Sequence, residues 1–411
     1  MIAYHYPPLA GSSGIQRTLR FSQDLPTLGW QPAVLTAHPR AYEKLGSDLL
    51  RDIPPGVDVK RAFALDARRH LAVYKRYPGW IARPDRWLSW LPGAVVTGLK
   101  MIRQQRPDVI WSTYPIPTAH LIGYWLARFS GVPWVADFRD PMAHQGYPPD
   151  QATWNSYLRV EQKVFSQAAR MAFTTPGAAR LYTQRYPRQA DRICVIENGY
   201  DDASFEPHGT GGAGRSLNPG KLTLLHSGIV YPEWRNPKEL FIAVRQLIDH
   251  KLIAPQDLCL RFRAPEHSEF IASLATKYRL NDMVELLPPI GYREALAEMC
   301  AADGLLILQS IDCNDQIPAK IYEYIRARRP VLGLCGSTGD TADALQRAGF
   351  THTAPLESSQ QIGTTLERFL ADVRRGAAPV ASDRFVESAS RGSKAAQLAA
   401  LLAGVRAEHS A

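Results

Sequence analysis

Asp315-Gln-Ile-Pro-Ala-Lys-Ile-Tyr-Glu-Tyr-Ile-Arg-Ala-Arg-Arg-Pro-Val-Leu-Gly333 links two apolar runs, Gly304–Leu308 and Val331–Leu334. The runs have strand length, and the stretch between them spaces its apolar residues along one helix face. Pro318 suits the first turn of that helix, where its missing N–H costs nothing. Strand, crossover helix and strand together form the unit of a parallel sheet. Such a helix begins beyond the carboxyl end of a strand. Its free N–H groups and the positive end of its dipole are then available to a phosphate. Lys320 and Glu323, three apart, share one face. A carboxylate one turn inside the helix can accept both hydroxyls of a ribose, while the ammonium approaches the phosphates. A solvated Lys–Glu pair has the same spacing, so spacing alone leaves both readings open.

The same alternation runs outward in both directions. Strand-like runs occur at Ala33–Thr36, Val109–Ser112, Trp134–Asp137, Met171–Thr174 and Ile193–Ile196. A second series follows at Leu222–His226, Leu258–Phe262 and Val284–Leu287 before the pair already quoted. Helical patterns lie between them, which predicts doubly wound parallel α/β sheets. At 411 residues the chain suits two domains rather than one core. The stretch His208-Gly-Thr-Gly-Gly-Ala-Gly-Arg-Ser-Leu-Asn-Pro-Gly220 has five glycines in 13 residues and reads as the linker. The expected division is therefore 1–207, a linker at 208–220, 221–381, and a helical tail at 382–411 that packs back on the first domain. Two such domains imply a cleft, and in doubly wound sheets ligands bind beyond the carboxyl ends of the strands.

Composition narrows the class. Apolar residues make up 45% and charged ones 21%, as in soluble globular proteins. No apolar run reaches the length of a membrane span, and the first residues lack the pattern of a signal peptide. Five dispersed cysteines, with no pair at metal-ligand spacing, argue against a disulfide framework and for a cytoplasmic protein. Residues 1–200 carry 25 Lys/Arg against 14 Asp/Glu, whereas residues 201–411 carry 23 against 25. The basicity belongs to the first half, whose partner is expected to be anionic.

Several strand ends carry candidate chemistry. Gly11 and Gly14 let the backbone pass close to a ligand, and Ser12 or Ser13 suits the cap of the following helix. Val135-Ala-Asp-Phe-Arg-Asp-Pro141 sets two carboxylates around a guanidinium. Asp137, Arg139 and Asp140 are costly to desolvate there unless they are used or paired. A structural ion-pair cluster is the plain alternative. Between Lys60 and Arg106, 11 basic residues meet only Asp66 and Asp85. Tyr74, Tyr77, Trp80, Trp87 and Trp90 are interleaved with them. Basic and aromatic residues together suit the headgroup layer of an anionic membrane; a solvated basic face with aromatics in the core has the same composition. No nucleic-acid recognition motif is present.

Pro318-Ala-Lys-Ile-Tyr-Glu-Tyr-Ile-Arg-Ala-Arg-Arg-Pro-Val-Leu332 resembles the donor-site segment of the family 4 retaining glycosyltransferases. The resemblance runs along almost the whole chain and implies a GT-B fold, two Rossmann-like domains facing a central cleft. It implies that Glu323 holds the nucleotide ribose, with Ile317, Pro318, Ala319 and Lys320 around it. The family commonly places a Glu eight residues before that acid, near the donor sugar; here Asp315 stands there. Tyr4-His-Tyr-Pro-Pro-Leu-Ala-Gly-Ser-Ser-Gly-Ile-Gln-Arg17 is similar to the family's first strand and glycine loop, which puts Gly11, Ser12, Ser13 and Gly14 beside donor phosphates and acceptor. The 135–141 segment resembles an Arg-Asp motif of one branch. It implies that Asp137 or Asp140 orients the acceptor hydroxyl and that Arg139 binds an anionic group.

Leu225-His-Ser-Gly-Ile-Val-Tyr-Pro-Glu-Trp-Arg-Asn-Pro237 resembles the family's loop for the diphosphate. Gly228 gives close approach there. Arg235, whose fork binds oxygens in pairs, would stabilise the leaving group. Asn236 and Pro237 stand where a lysine is common, so Lys320 shares that task. Phe262-Arg-Ala-Pro-Glu266 and Pro288–Tyr292 fall where the family borders the nucleobase, and Gly336-Ser-Thr-Gly-Asp-Thr341 resembles a Gly-Asp-Thr turn in related enzymes; plain turn chemistry accounts for them equally.

The expected activity is transfer of a sugar, with retained configuration, from a nucleoside diphosphate sugar to a hydroxyl. UDP is expected first and GDP next as carrier. The setting would be polysaccharide or glycoconjugate synthesis, on a saccharide or lipid-linked acceptor. No cofactor and no metal are expected. The protein is expected in the cytoplasm, on the inner face of the membrane if residues 60–106 dock there. A nucleotide-sugar epimerase of the same fold, and a non-catalytic nucleotide-sugar or membrane-surface binding protein, fit the same residues.

Overall fold

The computed structural model describes residues 1–410 apart from 13, 75, 145 and 206–215. Contacts divide the chain into two units. Met1–Glu197 with Arg391–Ala411 form the first, and Asn198–Ser390 the second. The chain leaves the first unit at Glu197 rather than at 207, and the expected linker at 208–220 lies mostly outside the described residues. The terminal segment is shared. Its helix Asp383–Ser388 belongs to the second unit and its helix Arg391–Ser410 to the first.

In the first unit, strands β1 (Ala33–Ala37) and β2 (Asp58–Ala62) pair in parallel. Strands β3 (Ile110–Thr113), β4 (Trp134–Arg139), β5 (Arg170–Phe173) and β6 (Ile193–Val195) form a parallel ladder in that order. Ile2 bridges both groups, pairing in parallel with Leu35 of β1 and Ser112 of β3. The start of the chain thus lies between β1 and β3 and joins the two sets.

Residue alternation fills both faces of this sheet, as a parallel sheet requires. Trp134, Ala136 and Phe138 pack on one side with Trp90 and Tyr182. Trp111, Val135 and Ala172 pack on the other under Phe21, Leu25 and the helix Arg391–Ser410, through Ala395, Leu398 and Leu402. Trp134 is fully buried because its indole N–H donates to Ser112 Oγ at 2.8 Å.

The second unit is one six-stranded parallel sheet. Its strands are β7 (Leu222–Ser227), β8 (Leu258–Arg263), β9 (Val284–Leu287), β10 (Gly304–Leu308), β11 (Val331–Leu334) and β12 (Thr353–Ala354). Their order is β12-β11-β10-β7-β8-β9. The order reverses between β7 and β10, the switch point where doubly wound sheets open a crevice. The quoted segment crosses from β10 to β11, so its helix, Lys320–Ala327, stands beside that point. This helix starts two residues after Pro318, which precedes it instead of filling its first turn. The α/β class with two parallel doubly wound sheets is the one the alternation predicts.

Candidate active site

In the second unit the site is built on the carboxyl end of β7. His226 and Ser227 end the strand, and Gly228 turns the chain with φ 109°, a conformation that favours glycine. A Cβ on Gly228 would stand 3.4 Å from Lys320 Nζ. Lys320 Nζ lies 2.8 Å from His226 Nε2, and His226 Nδ1 lies 3.0 Å from the carbonyl of Leu306. A carbonyl only accepts, so Nδ1 carries the hydrogen and Nε2 accepts from the lysine. His226 is fully buried, and burial, reinforced by Lys320, holds its pKa well below the usual imidazole value. Burial also holds Lys320 well below the usual ammonium value; neighbouring Arg235 adds to this and Glu323 opposes it. A cation disfavoured by its surroundings is one that an incoming anion would restore.

Arg235 donates from Nη1 to the carbonyl of Ile229 at 3.1 Å, and its guanidinium lies 5.3 Å from the Tyr231 ring. Burial works against its charge too. Glu323 Oε1 accepts from the Tyr292 hydroxyl at 2.8 Å, which fixes the carboxylate's direction. The fully buried Tyr324 accepts from the amide of Ser227 at 3.0 Å and so ties the helix to the end of β7.

Asp315 is exposed on the turn before the helix. That turn is braced by the Gly336–Thr341 segment. Asp340 N donates to the Asn314 carbonyl at 2.8 Å, and Thr341 Oγ1 to that of Gln316 at 2.6 Å. A Cβ at Gly339, whose φ is 115°, would meet the Asn314 carbonyl oxygen at 2.8 Å, so glycine is a steric requirement there; at Gly336 it would press on the Asn314 side chain. Ile317 is buried in the core with Tyr322 and Ile325, whereas Ala319 is exposed as the helix N-cap.

In the first unit the glycine loop leads into the helix Gly14–Asp24. Gly11 has φ 77°. Ser12 Oγ accepts from Gly14 N at 3.2 Å and lies 3.1 Å from His5 Nδ1. Ser13 lies outside the described residues. A Cβ on Gly14 would stand 2.3 Å from His5 Nδ1 and 2.9 Å from Arg139 Nη1, so glycine there lets these two side chains meet the start of the helix. Burial, and then Arg139, lower His5 to about 4. The neutral ring is therefore its working form near pH 7.

A bulge between Asp137 and Arg139, with Arg139 at φ 60°, sends neighbouring side chains in different directions. Asp137 turns inward. Both its oxygens are held by Arg17, at 2.9 and 2.8 Å, and Oδ2 also accepts from Thr113 Oγ1 at 2.8 Å. Arg17 further donates to the carbonyls of Ile196 and Glu197. With 1% exposure Asp137 has no access to an acceptor hydroxyl, so of the two acids offered by the sequence only Asp140 is exposed. Among the described residues, the Arg139 side chain makes one long bond, 3.4 Å to the Tyr114 carbonyl, and its buried Nε has no partner.

The segment after Arg139 is pinned from below. The fully buried Glu161 accepts from Ala143 N at 3.0 Å, Tyr182 Oη at 2.5 Å and Arg185 Nη1 at 2.8 Å. The sequence did not single out His5, His226, Tyr292 or Glu161. The first three lie in quoted strand-end segments, which was the available signal.

No His, Cys, Asp or Glu grouping suited to a metal occurs among the described residues. Residues 60–106 divide. Tyr74 and Trp80 are 95% and 71% exposed, but Trp90 is fully buried and Trp87 packs against the core with its indole N–H on the Ala41 carbonyl. Trp87 and Trp90 therefore drop out of the expected membrane face.

Residues 13–199 match the model of the glycosyl transferase 4-like domain. The D-inositol 3-phosphate glycosyltransferase of Pseudarthrobacter chlorophenolicus is 26% identical over 260 residues, 57% of this chain and 60% of that protein. The match thus spans less than two thirds of that relative's length. The α,α-trehalose 6-phosphate synthase of Burkholderia multivorans superposes with a TM-score of 0.67 at 14% identity, covering 100% of this chain and 97% of that one. Anabaena HepE in complex with UDP superposes with a TM-score of 0.61 at 13% identity, covering 99% and 96%. At these identities the structural matches establish the fold.

Proposed function

We propose that this chain, a GT-B protein of the family 4 glycosyltransferases, transfers a sugar from a nucleoside diphosphate to a hydroxyl acceptor with retained anomeric configuration. The observation that carries the proposal is the grouping of Gly228, Arg235, Lys320 and Glu323 at the carboxyl end of β7 and the start of one helix. Burial works against the charge of both Arg235 and Lys320, which a bound diphosphate would compensate, and an oriented carboxylate one turn further suits ribose hydroxyls. UDP is the carrier proposed first, which the UDP bound by HepE supports, and GDP second.

In the reaction the bond from the anomeric carbon to the phosphate oxygen breaks, one to the acceptor oxygen forms, and the acceptor's hydroxyl proton passes to the departing diphosphate. The negative charge that develops on the diphosphate is met by Arg235 and Lys320. Asp140 orients the acceptor hydroxyl, and Arg139 takes an anionic group of the acceptor. The inositol phosphate and the trehalose phosphate in the names of two similar proteins support a charged acceptor, a saccharide or lipid-linked one.

The test is a transfer assay with UDP- and GDP-sugars in the presence of EDTA. Sugar should appear on an acceptor with its configuration retained, and Arg235→Ala should lower turnover about 10²–10³-fold. Interconversion of the nucleotide sugar without transfer would replace the proposal by an epimerase.

The first unit is further proposed to dock on anionic membranes through the basic segment 60–106. Phe63, Val73, Tyr74 and Trp80 are exposed there, beside Arg68 and Arg76. No helix among the described residues is long and apolar enough to cross a membrane. Vesicles containing phosphatidylglycerol should bind the protein at low salt, and a failure to bind would end this part of the proposal.

A further inference from the structure

A groove of about 520 Å³ opens in the first unit between the loop Gly79–Pro84 and the helices Pro117–Ser130 and Gln151–Gln167. The loop is anchored at its end. Asp85 is buried and accepts from Thr118 N at 2.7 Å, Thr118 Oγ1 at 2.8 Å and Trp87 N at 2.9 Å. Leu121 and Val160 make the floor apolar, Trp80 stands at the rim, and Arg83, Arg159 and Lys163 supply charge.

These cations are poorly compensated. Arg159 and Lys163 are four apart on one helix face, an arrangement of like charges that opposes helix formation. Neither has a carboxylate within 4 Å among the described residues; Lys163 lies instead over the Tyr124 and Trp125 rings, at 4.8 and 5.9 Å. The carboxylate that senses Arg83 is Asp150, which is already occupied in capping its helix through Thr153 N at 2.8 Å. Asn155 also lines the groove, and its Oδ1 accepts from Gln151 at 3.0 Å.

We propose that this groove binds a phosphate-bearing headgroup, its phosphate on Arg83, Arg159 and Lys163 and its carbon frame on Leu121 and Val160. It deepens the membrane-docking reading by naming where one lipid is gripped, and it rests on that reading only if the headgroup comes from a lipid. A soluble phosphate ester has the same chemistry, so the test has two arms.

In the first arm, glycerol 3-phosphate is titrated against the full chain and the variant Arg159→Gln/Lys163→Gln by calorimetry. In the second, both proteins and a control, Arg68→Gln/Arg76→Gln, are sedimented with phosphatidylcholine vesicles with and without phosphatidylglycerol. Circular dichroism checks that each variant is folded. The expected result is glycerol 3-phosphate binding that falls tenfold or more in the groove variant, with vesicle binding reduced more in that variant than in the control. Binding of glycerol 3-phosphate without any vesicle binding keeps the groove and rejects the membrane reading. Vesicle binding that both variants weaken equally, with no glycerol 3-phosphate bound, keeps the membrane reading and overturns the groove. Binding in neither arm overturns both.

Discussion

Lys320 and Asp137 are both charged side chains drawn in from solvent, and their surroundings are opposite in kind. Asp137 is satisfied on both oxygens by Arg17 and Thr113. Asp137→Asn would leave the Arg17 guanidinium buried without its counter-charge, a loss of about 3–5 kcal/mol for a broken buried pair. Thermal unfolding should show a large drop in stability; an Asp137→Asn protein of unchanged stability but abolished transfer would restore Asp137 to the chemistry. Among the described residues Lys320 is bonded to a neutral imidazole, and burial and Arg235 hold its pKa down. A bound diphosphate should raise it again. At a pH where the free lysine is partly deprotonated, UDP binding is therefore expected to take up a proton, seen as a binding enthalpy that varies with the ionisation enthalpy of the buffer. Lys320→Met should abolish that variation, and a buffer-independent enthalpy in the unaltered protein would contradict the role.

At the scale of elements, the turn after β7 depends on one glycine. Gly228→Ala forces a side chain into φ 109° and places its methyl 3.4 Å from Lys320 Nζ. The backbone term is about 1–2 kcal/mol. Nucleotide affinity should fall by about tenfold or more through the displaced lysine, while β7, paired on both sides, keeps the unit folded. Calorimetric titration of UDP checks this, and unchanged affinity would show that the approach over Gly228 is not used.

The elements also show what the sequence could carry. Strands β10 and β11 match their apolar runs residue for residue, because a strand buried on both faces is a continuous apolar run with turn residues at each end. Asp58-Val-Lys-Arg-Ala62 went unseen as a strand. It is an edge strand with polar residues, and its pairing with β1 supplies what its pattern lacks. The partner of Asp137 was equally hidden. Arg139 and Asp140 are its neighbours in sequence, but the bulge turns it toward Arg17, 120 residues away. His226 carries no signal of its own in the sequence, since only folding brings Lys320 to its ring.

For the whole molecule, charge and buried histidines set the response to solution conditions. His5 and His120 are lowered by burial to about 4 and about 3. Between those values and the ordinary 6.5 the native state keeps them neutral while the unfolded chain protonates them. The unfolded state then binds more protons, so stability falls as pH drops from about 6.5 toward 4. Glu285, lowered chiefly by its bonds and charge pairing with Arg261 against the opposing effect of burial, acts in the same direction. Unfolding midpoints measured across this range should decline steadily, and His5→Gln should flatten part of the slope. A midpoint that rises on acidification would contradict the neutral assignment.

The measurement that bears most directly on nucleotide-sugar transfer is calorimetric titration of UDP and GDP into the unaltered protein and into Glu323→Ala. The account predicts that one of the two diphosphates binds, and that the variant binds it about 10–100-fold more weakly, the worth of hydrogen bonds to a charged acceptor. Binding of neither nucleotide, or equal binding by both proteins, would contradict it.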